Sequence, residues 1–141
     1  MLMLSVSTNS KPADSAALPL NRETRQLFFQ LGTTALNNLQ GSHAAALFGA
    51  LEVAEPDQPY VKLGLGMTYL CCSEHESAAQ YFSSEIVQSS PLADSANVLL
   101  ALTHKLSGNA SGFDLAAERI STQNSDLLPH VDEINTIQLD R

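Results

Sequence analysis

Along this chain apolar residues recur every three or four positions, the spacing that gathers them on one face of an α-helix. The pattern predicts helices over about residues 22–38, 42–54, 59–72 and 75–89. Asn21 and Asp57 stand where helix caps are needed, and Gly41 and Ser73 fall in the short turns. Pro56 and Pro91 follow the second and fourth segments, where proline ends a helix because it has no N–H and restricts the residue before it. Helical spacing continues through Val98, Leu99, Leu102 and Leu106, breaks at Ser107, Gly108 and Asn109, and resumes with Leu115, Ala116, Arg119 and Ile120. Leu127, Val131, Ile134 and Ile137 predict a short closing helix over 126–138, with Ser125 or Asp126 as its cap. The first twenty residues, rich in Ser, Ala and Pro, show no period and read as a mobile or loosely docked arm.

The segments repeat. Leu31-Gly32 returns as Leu65-Gly66, Ala44 as Ala78 and Phe48 as Phe82, each 34 residues later. Small Gly and Ala let two helices approach closely, and Phe48 and Phe82 are placed to fill the gap between one helix pair and the next. Gly64 marks a second close approach, by a neighbouring helix or by a ligand backbone. At the same spacing a third copy starts near Ala93 and is eroded: Leu99 aligns with Leu65, but Leu100, Gly112 and Ala116 replace the Gly, Ala and Phe.

Leu-Gly, then Ala twelve residues on, then Phe four later, then Pro, resembles the tetratricopeptide repeat. Leu65-Gly66-Met67-Thr68-Tyr69 also carries that family's tyrosine, where the first copy has Ala35. The fold class is therefore all-α, and the resemblance implies a short right-handed superhelix of about three helical hairpins (25–58, 59–92 and 93–121) plus the closing helix, in one domain spanning 21–141.

Composition narrows the function. The formal charge of −8 would repel a phosphate backbone or an anionic membrane, and the absence of Trp weakens any base-stacking role. No apolar run approaches the ~18–20 residues that cross a bilayer. The N-terminus lacks the basic start of a secretory signal, which makes the cytoplasm the default location. Cys71 and Cys72 are adjacent and offer no second half of a metal site, and the four histidines show no ligand spacing, so no metal or other cofactor is expected. Gly64-Leu65-Gly66 lacks the rest of a phosphate loop. Glu74-His75-Glu76 could move protons, but no nucleophile motif accompanies it, and no catalytic residue is assigned.

In tetratricopeptide proteins the first helix of each pair lines a partner-binding groove. The resemblance carries those positions onto Phe29, Thr33 and Leu36, then Tyr60, Leu63, Met67 and Leu70, then Asn97, Ala101 and His104. The family's basic clamp for acidic C-termini would fall on Phe29, Thr33, Gly64, Asp94 and Val98, which cannot form it. The partner implied is a protein offering an apolar or amphipathic segment, with Met67 able to adapt to it. Size, acidity and groove character resemble the small tetratricopeptide chaperones of bacterial type III secretion, which hold a secreted client. A generic scaffold or adaptor, including a homodimer, is the alternative.

Overall fold

The computed structural model describes residues 20–120 and 126–138, and these form eight helices with no strand among them. The expected N-terminal arm, apart from Leu20, and Ser125 lie outside the described residues. The helices are α1 (Arg22–Asn37), α2 (Gly41–Ala54), α3 (Pro59–Cys71), α4 (His75–Phe82), α5 (Glu85–Gln88), α6 (Ala93–Leu106), α7 (Ala110–Glu118) and α8 (Leu128–Asn135). Helices α1–α2, α3–α4 and α6–α7 pair as hairpins, α3 packs on α2, α6 packs on α4, and α8 lies against α6.

Local chemistry explains most of the boundaries. The Asn21 side chain accepts the Thr24 N–H at 2.8 Å and caps α1. Asp57 is no cap: it is exposed in the turn, and Gln58 flanks α3 with Pro59 inside the first turn, where its missing N–H costs nothing. At the last helix Asp126 is likewise passed over, Leu127 flanking α8 without a side-chain cap.

All three hairpin turns use one device. Leu39, Ser73 and Gly108 take left-handed backbone at φ 58°, 61° and 78°. In each turn that residue's N–H bonds the carbonyl three back, and the following N–H bonds the carbonyl five back, as in Gln40 to Ala35 at 2.7 Å, Glu74 to Tyr69 at 2.9 Å and Asn109 to His104 at 2.8 Å. Leu39, not Gly41, is thus the first turn's left-handed residue. Gly41 opens α2, and a Cβ on it would lie 2.5 Å from Cys72 Sγ.

These turns also act as a ruler. Leu39 to Ser73 is 34 residues, but Ser73 to Gly108 is 35. Val61, Leu65 and Thr68 of α3 accordingly correspond to Ala96, Leu100 and Thr103 of α6, and all six are buried. Thr68 and Thr103 both donate to the carbonyl four residues back, Gly64 and Leu99, at 2.8 Å. The third copy's Leu-Gly is therefore Leu100-Ala101, and its Ala and Phe places hold Phe113 and Ala117, so the bulky residue has moved one turn earlier. The expected alignment on Leu99, Gly112 and Ala116 is one residue out.

The extra residue falls where the single helix expected over 75–89 is broken. Ser83 donates to the Ala79 carbonyl at 2.6 Å, Ser84 is extended at ψ 149°, and its hydroxyl accepts the Val87 N–H at 3.4 Å to start α5. Serine competes with the helix backbone in this way, which favours caps over helix interiors. The break carries Val87 into the core and aims Gln88 at Asn97.

Two apolar clusters result. One joins the first and second hairpins through Ala35, Ala44, Phe48, Leu51, Val61 and Leu65. The other runs from Ala78 and Phe82 through Leu100 and Phe113 to Val131 of α8.

Candidate partner-binding face

α1, α3 and α6 lie side by side, α1 touching α3 and α3 touching α6. Phe29, Thr33 and Leu36 recur every three or four residues and so share one face of α1, while Tyr60, Leu63, Met67 and Leu70 do the same on α3. Phe29 is 37% and Met67 36% exposed, and the other five are half-buried. Leu36 and Tyr60 pack on the first cluster, Leu63 and Leu70 on the second. These side chains support the core with one flank and present the other.

The third set differs. Asn97 is 1% and Ala101 0% exposed, so neither offers surface to a partner. His104 is half-buried on the hairpin-facing side of α6, where its ring would sit 2.7 Å from a Cβ on Gly112. The cause is the 35-residue spacing: the places matching Leu63, Met67 and Leu70 are Val98, Leu102 and Lys105, all half-buried. Asn97 instead pairs amide to amide with Gln88, at 3.0 Å and 3.3 Å.

A cleft of about 570 Å³ opens at the α1–α3 end of this face, lined by Arg22, Arg25, Gln26, Phe29, Gln30, Glu55, Gln58 and Tyr60. Its floor is aromatic. Phe29 meets Tyr60 edge-on at 5.4 Å between ring centroids and Phe48 at 5.9 Å. Beside it the Glu55 carboxylate accepts from the Tyr60 hydroxyl and pairs with Arg25 at 3.3 Å, while Arg25 also donates to the Leu20 carbonyl at 3.1 Å. Burial, then the bond to Glu55, pushes the Tyr60 phenol up to about 12. No family model, no curated protein and no solved structure matches the chain.

Arg25 and Gln26 sit one turn before Phe29 and Gln30, so helical spacing alone could have added the arginine to the face. Glu55 and Gln58 carry no such signal, since they join the cleft only through the turn that brings α3 against α1.

Other polar groups are spoken for. Lys62 pairs with Glu52 at 2.7 Å and lies 5.9 Å above the Tyr81 ring, and Tyr81 stacks on Tyr69 at 5.5 Å. Gly64 is filled from inside: a Cβ there would meet Phe48 Cε1 at 2.5 Å. Glu74 and Glu76 are exposed at the start of α4, with His75 half-buried between them. Among the described residues no group of His, Cys, Asp and Glu is placed to hold a metal ion, and no helix is long and apolar enough to cross a membrane.

Proposed function

We propose that this protein is a tetratricopeptide-like binding module that holds an apolar or amphipathic segment of another protein along the face of α1 and α3. The observation that carries this reading is the cleft at Phe29 and Tyr60. Its aromatic floor suits an inserted apolar side chain, and the exposed Gln26, Gln30 and Gln58 amides around it can each donate to and accept from an extended peptide backbone. Arg25 and Glu55 neutralise one another, so the charge left in the cleft lining is that of Arg22. Met67, one of the two most exposed groove side chains, continues the apolar path along α3.

The more specific reading is a cytoplasmic chaperone of a type III secretion system. It rests on the chain's acidity, its size and the repeat pattern. Co-expression with translocator and needle subunits, followed by affinity capture, tests it: recovery of a translocator with wild type and its loss with Met67→Glu supports the reading. Binding of none of these subunits removes secretion while leaving the module. Met67→Glu is the clean variant because Met67 packs in neither cluster, whereas Leu63→Glu would also strike the second core.

A further inference from the structure

The first helix opens on a basic residue that its own fold does not explain. Arg22 stands in the first turn of α1, where the helix dipole disfavours a cation. It is exposed, it lines the Phe29–Tyr60 cleft, and no ion pair reaches it among the described residues. The other charges of the lining are already matched. Arg25 is held by the Glu55 carboxylate at 3.3 Å and by the Leu20 carbonyl at 3.1 Å, and Glu55 also accepts from the Tyr60 hydroxyl. Glu23, beside Arg22 in the first turn, is exposed and lines no part of the cleft. The lining thus sets two arginines against one glutamate, on a chain whose 15 acidic residues outnumber its 7 basic ones. A cation left over in this cleft runs against the charge of the whole molecule.

We propose that the protein segment held in this cleft carries an aspartate or glutamate two to four residues from the apolar side chain it inserts, and that Arg22 selects it. This rests on the binding face proposed above and adds a rule for the partner. Arg22, Gln26 and Phe29 fall at i, i+4 and i+7, so one stripe of α1 runs from the cation past an amide to the aromatic floor. Seven residues of α-helix rise about 10.5 Å. An extended peptide covers that distance in about three residues, at roughly 3.3 Å each. Side chains two and four positions from the anchor point the same way as the anchor, which makes those the preferred places. The length of the arginine brings the third within reach.

Charge and geometry favour a peptide carboxylate over other anions. A guanidinium is planar and pairs a carboxylate through two parallel N–H bonds. One arginine on a molecule of formal charge −8 is too little for a nucleic acid or an anionic membrane, which are held by many cations at once. A carboxylate carried beside an apolar anchor needs only one, because the anchor already keeps it close. Between the two, the exposed Gln26 amide can donate to and accept from the peptide backbone.

Selection from a library of random short peptides displayed on phage tests the proposal, with the full-length protein as bait and each peptide fused at its C-terminus so that no terminal carboxylate is presented. Wild type should enrich peptides with an acidic residue two to four positions from an apolar one, and Arg22→Glu should enrich Lys or Arg at that place instead. Arg22 lies outside both core clusters, so the variant should keep the wild-type helical circular dichroism. For a peptide selected on wild type, changing its acid to the amide should weaken binding about 2–5-fold at low salt, and the same change should have no effect on binding to Arg22→Gln. Enriched apolar peptides with no acidic preference, or an acidic preference that Arg22→Glu retains, would overturn the role of Arg22 while leaving the cleft as an apolar site. Enrichment of no peptide over bait-free matrix would overturn the binding face and this rule with it.

Discussion

The two junctions between hairpins solve one packing problem differently. At the first, Phe48 slots between two glycines: a Cβ would lie 2.8 Å from its ring on Gly32 and 2.5 Å on Gly64. One rigid aromatic fills the centre of α1, α2 and α3, with polar contacts such as Lys62–Glu52 at its half-buried edge. At the second, Phe82 has a glycine on its own hairpin only, with Gly66 at 2.5 Å, and the partner helix α6 has Leu99 in the place of Gly64. There the chain breaks α4, inserts a residue, and closes the gap with Val87 and an amide pair between half-buried Gln88 and buried Asn97. Close backbone approach can thus be replaced by a broken helix and a polar tie, at the cost of the repeat's register.

That contrast can be broken first at Gly64. Gly64→Ala should lose about 1–3 kcal/mol in urea unfolding, since the Phe48 ring is fully enclosed and cannot move aside. Gly49→Ala, with open space around its Cα, should instead gain up to ~1 kcal/mol. At the second junction Asn97→Ala should lose about 0.5–1.5 kcal/mol, because the half-buried Gln88 amide loses Asn97 but keeps its Nε2 bond to the Phe82 carbonyl at 2.9 Å. Adding Gln88→Ala should then cost less than its effect alone, a coupling of about 0.5–3 kcal/mol, whereas strict additivity would show that the pair does not tie the junction.

Smaller effects sharpen the ruler that separates the junctions. Leu39→Gly and Ser73→Gly should each raise stability by about 1 kcal/mol, because both hold left-handed backbone that costs an L-residue, and Gly108→Ala should lower it by a similar amount. The third hairpin should add a weak acid sensitivity. Burial, then the Arg119 charge, holds His104 below its ordinary 6.5, so the folded state resists a proton that the unfolded chain takes up. Its contribution is complete above about pH 6.5 and is lost as pH falls further. His104→Gln should flatten that part of the stability profile.

The first two hairpins were legible because Leu-Gly, Ala and Phe repeat at constant spacing, and the ends of α1, α2 and α3 fall within a residue of the expected ones, whereas the helix expected over 75–89 stops at Phe82. The third was misread by one position. A single inserted residue near Ser84, together with the exchange of Ala78 and Phe82 for Phe113 and Ala117, hides the register from any fixed-period comparison. That shift is why Asn97, Ala101 and His104 stand at expected groove positions while Val98, Leu102 and Lys105 take the places in α6 that match Leu63, Met67 and Leu70. On α1 and α3, Phe29 and Tyr60, which the resemblance places in the groove, meet edge-on in the cleft. Glu55 carries no sequence signal, because its contact with Arg25 and Tyr60 is made across helices whose mutual placement no local pattern encodes.

The most direct test of the account places a photo-crosslinking residue, one at a time, at Thr33, Met67, Leu102, Ala101 and Leu115 of the full-length protein, co-expressed with a translocator subunit. Thr33, Met67 and Leu102 take matching places on the proposed binding face in the corrected register, Ala101 is buried, and Leu115 is exposed on α7. Crosslinks to the client from the first three and from neither of the others are the predicted result. Crosslinking from Leu115 with none from Thr33 and Met67 would contradict the claim that this protein holds its partner along α1 and α3.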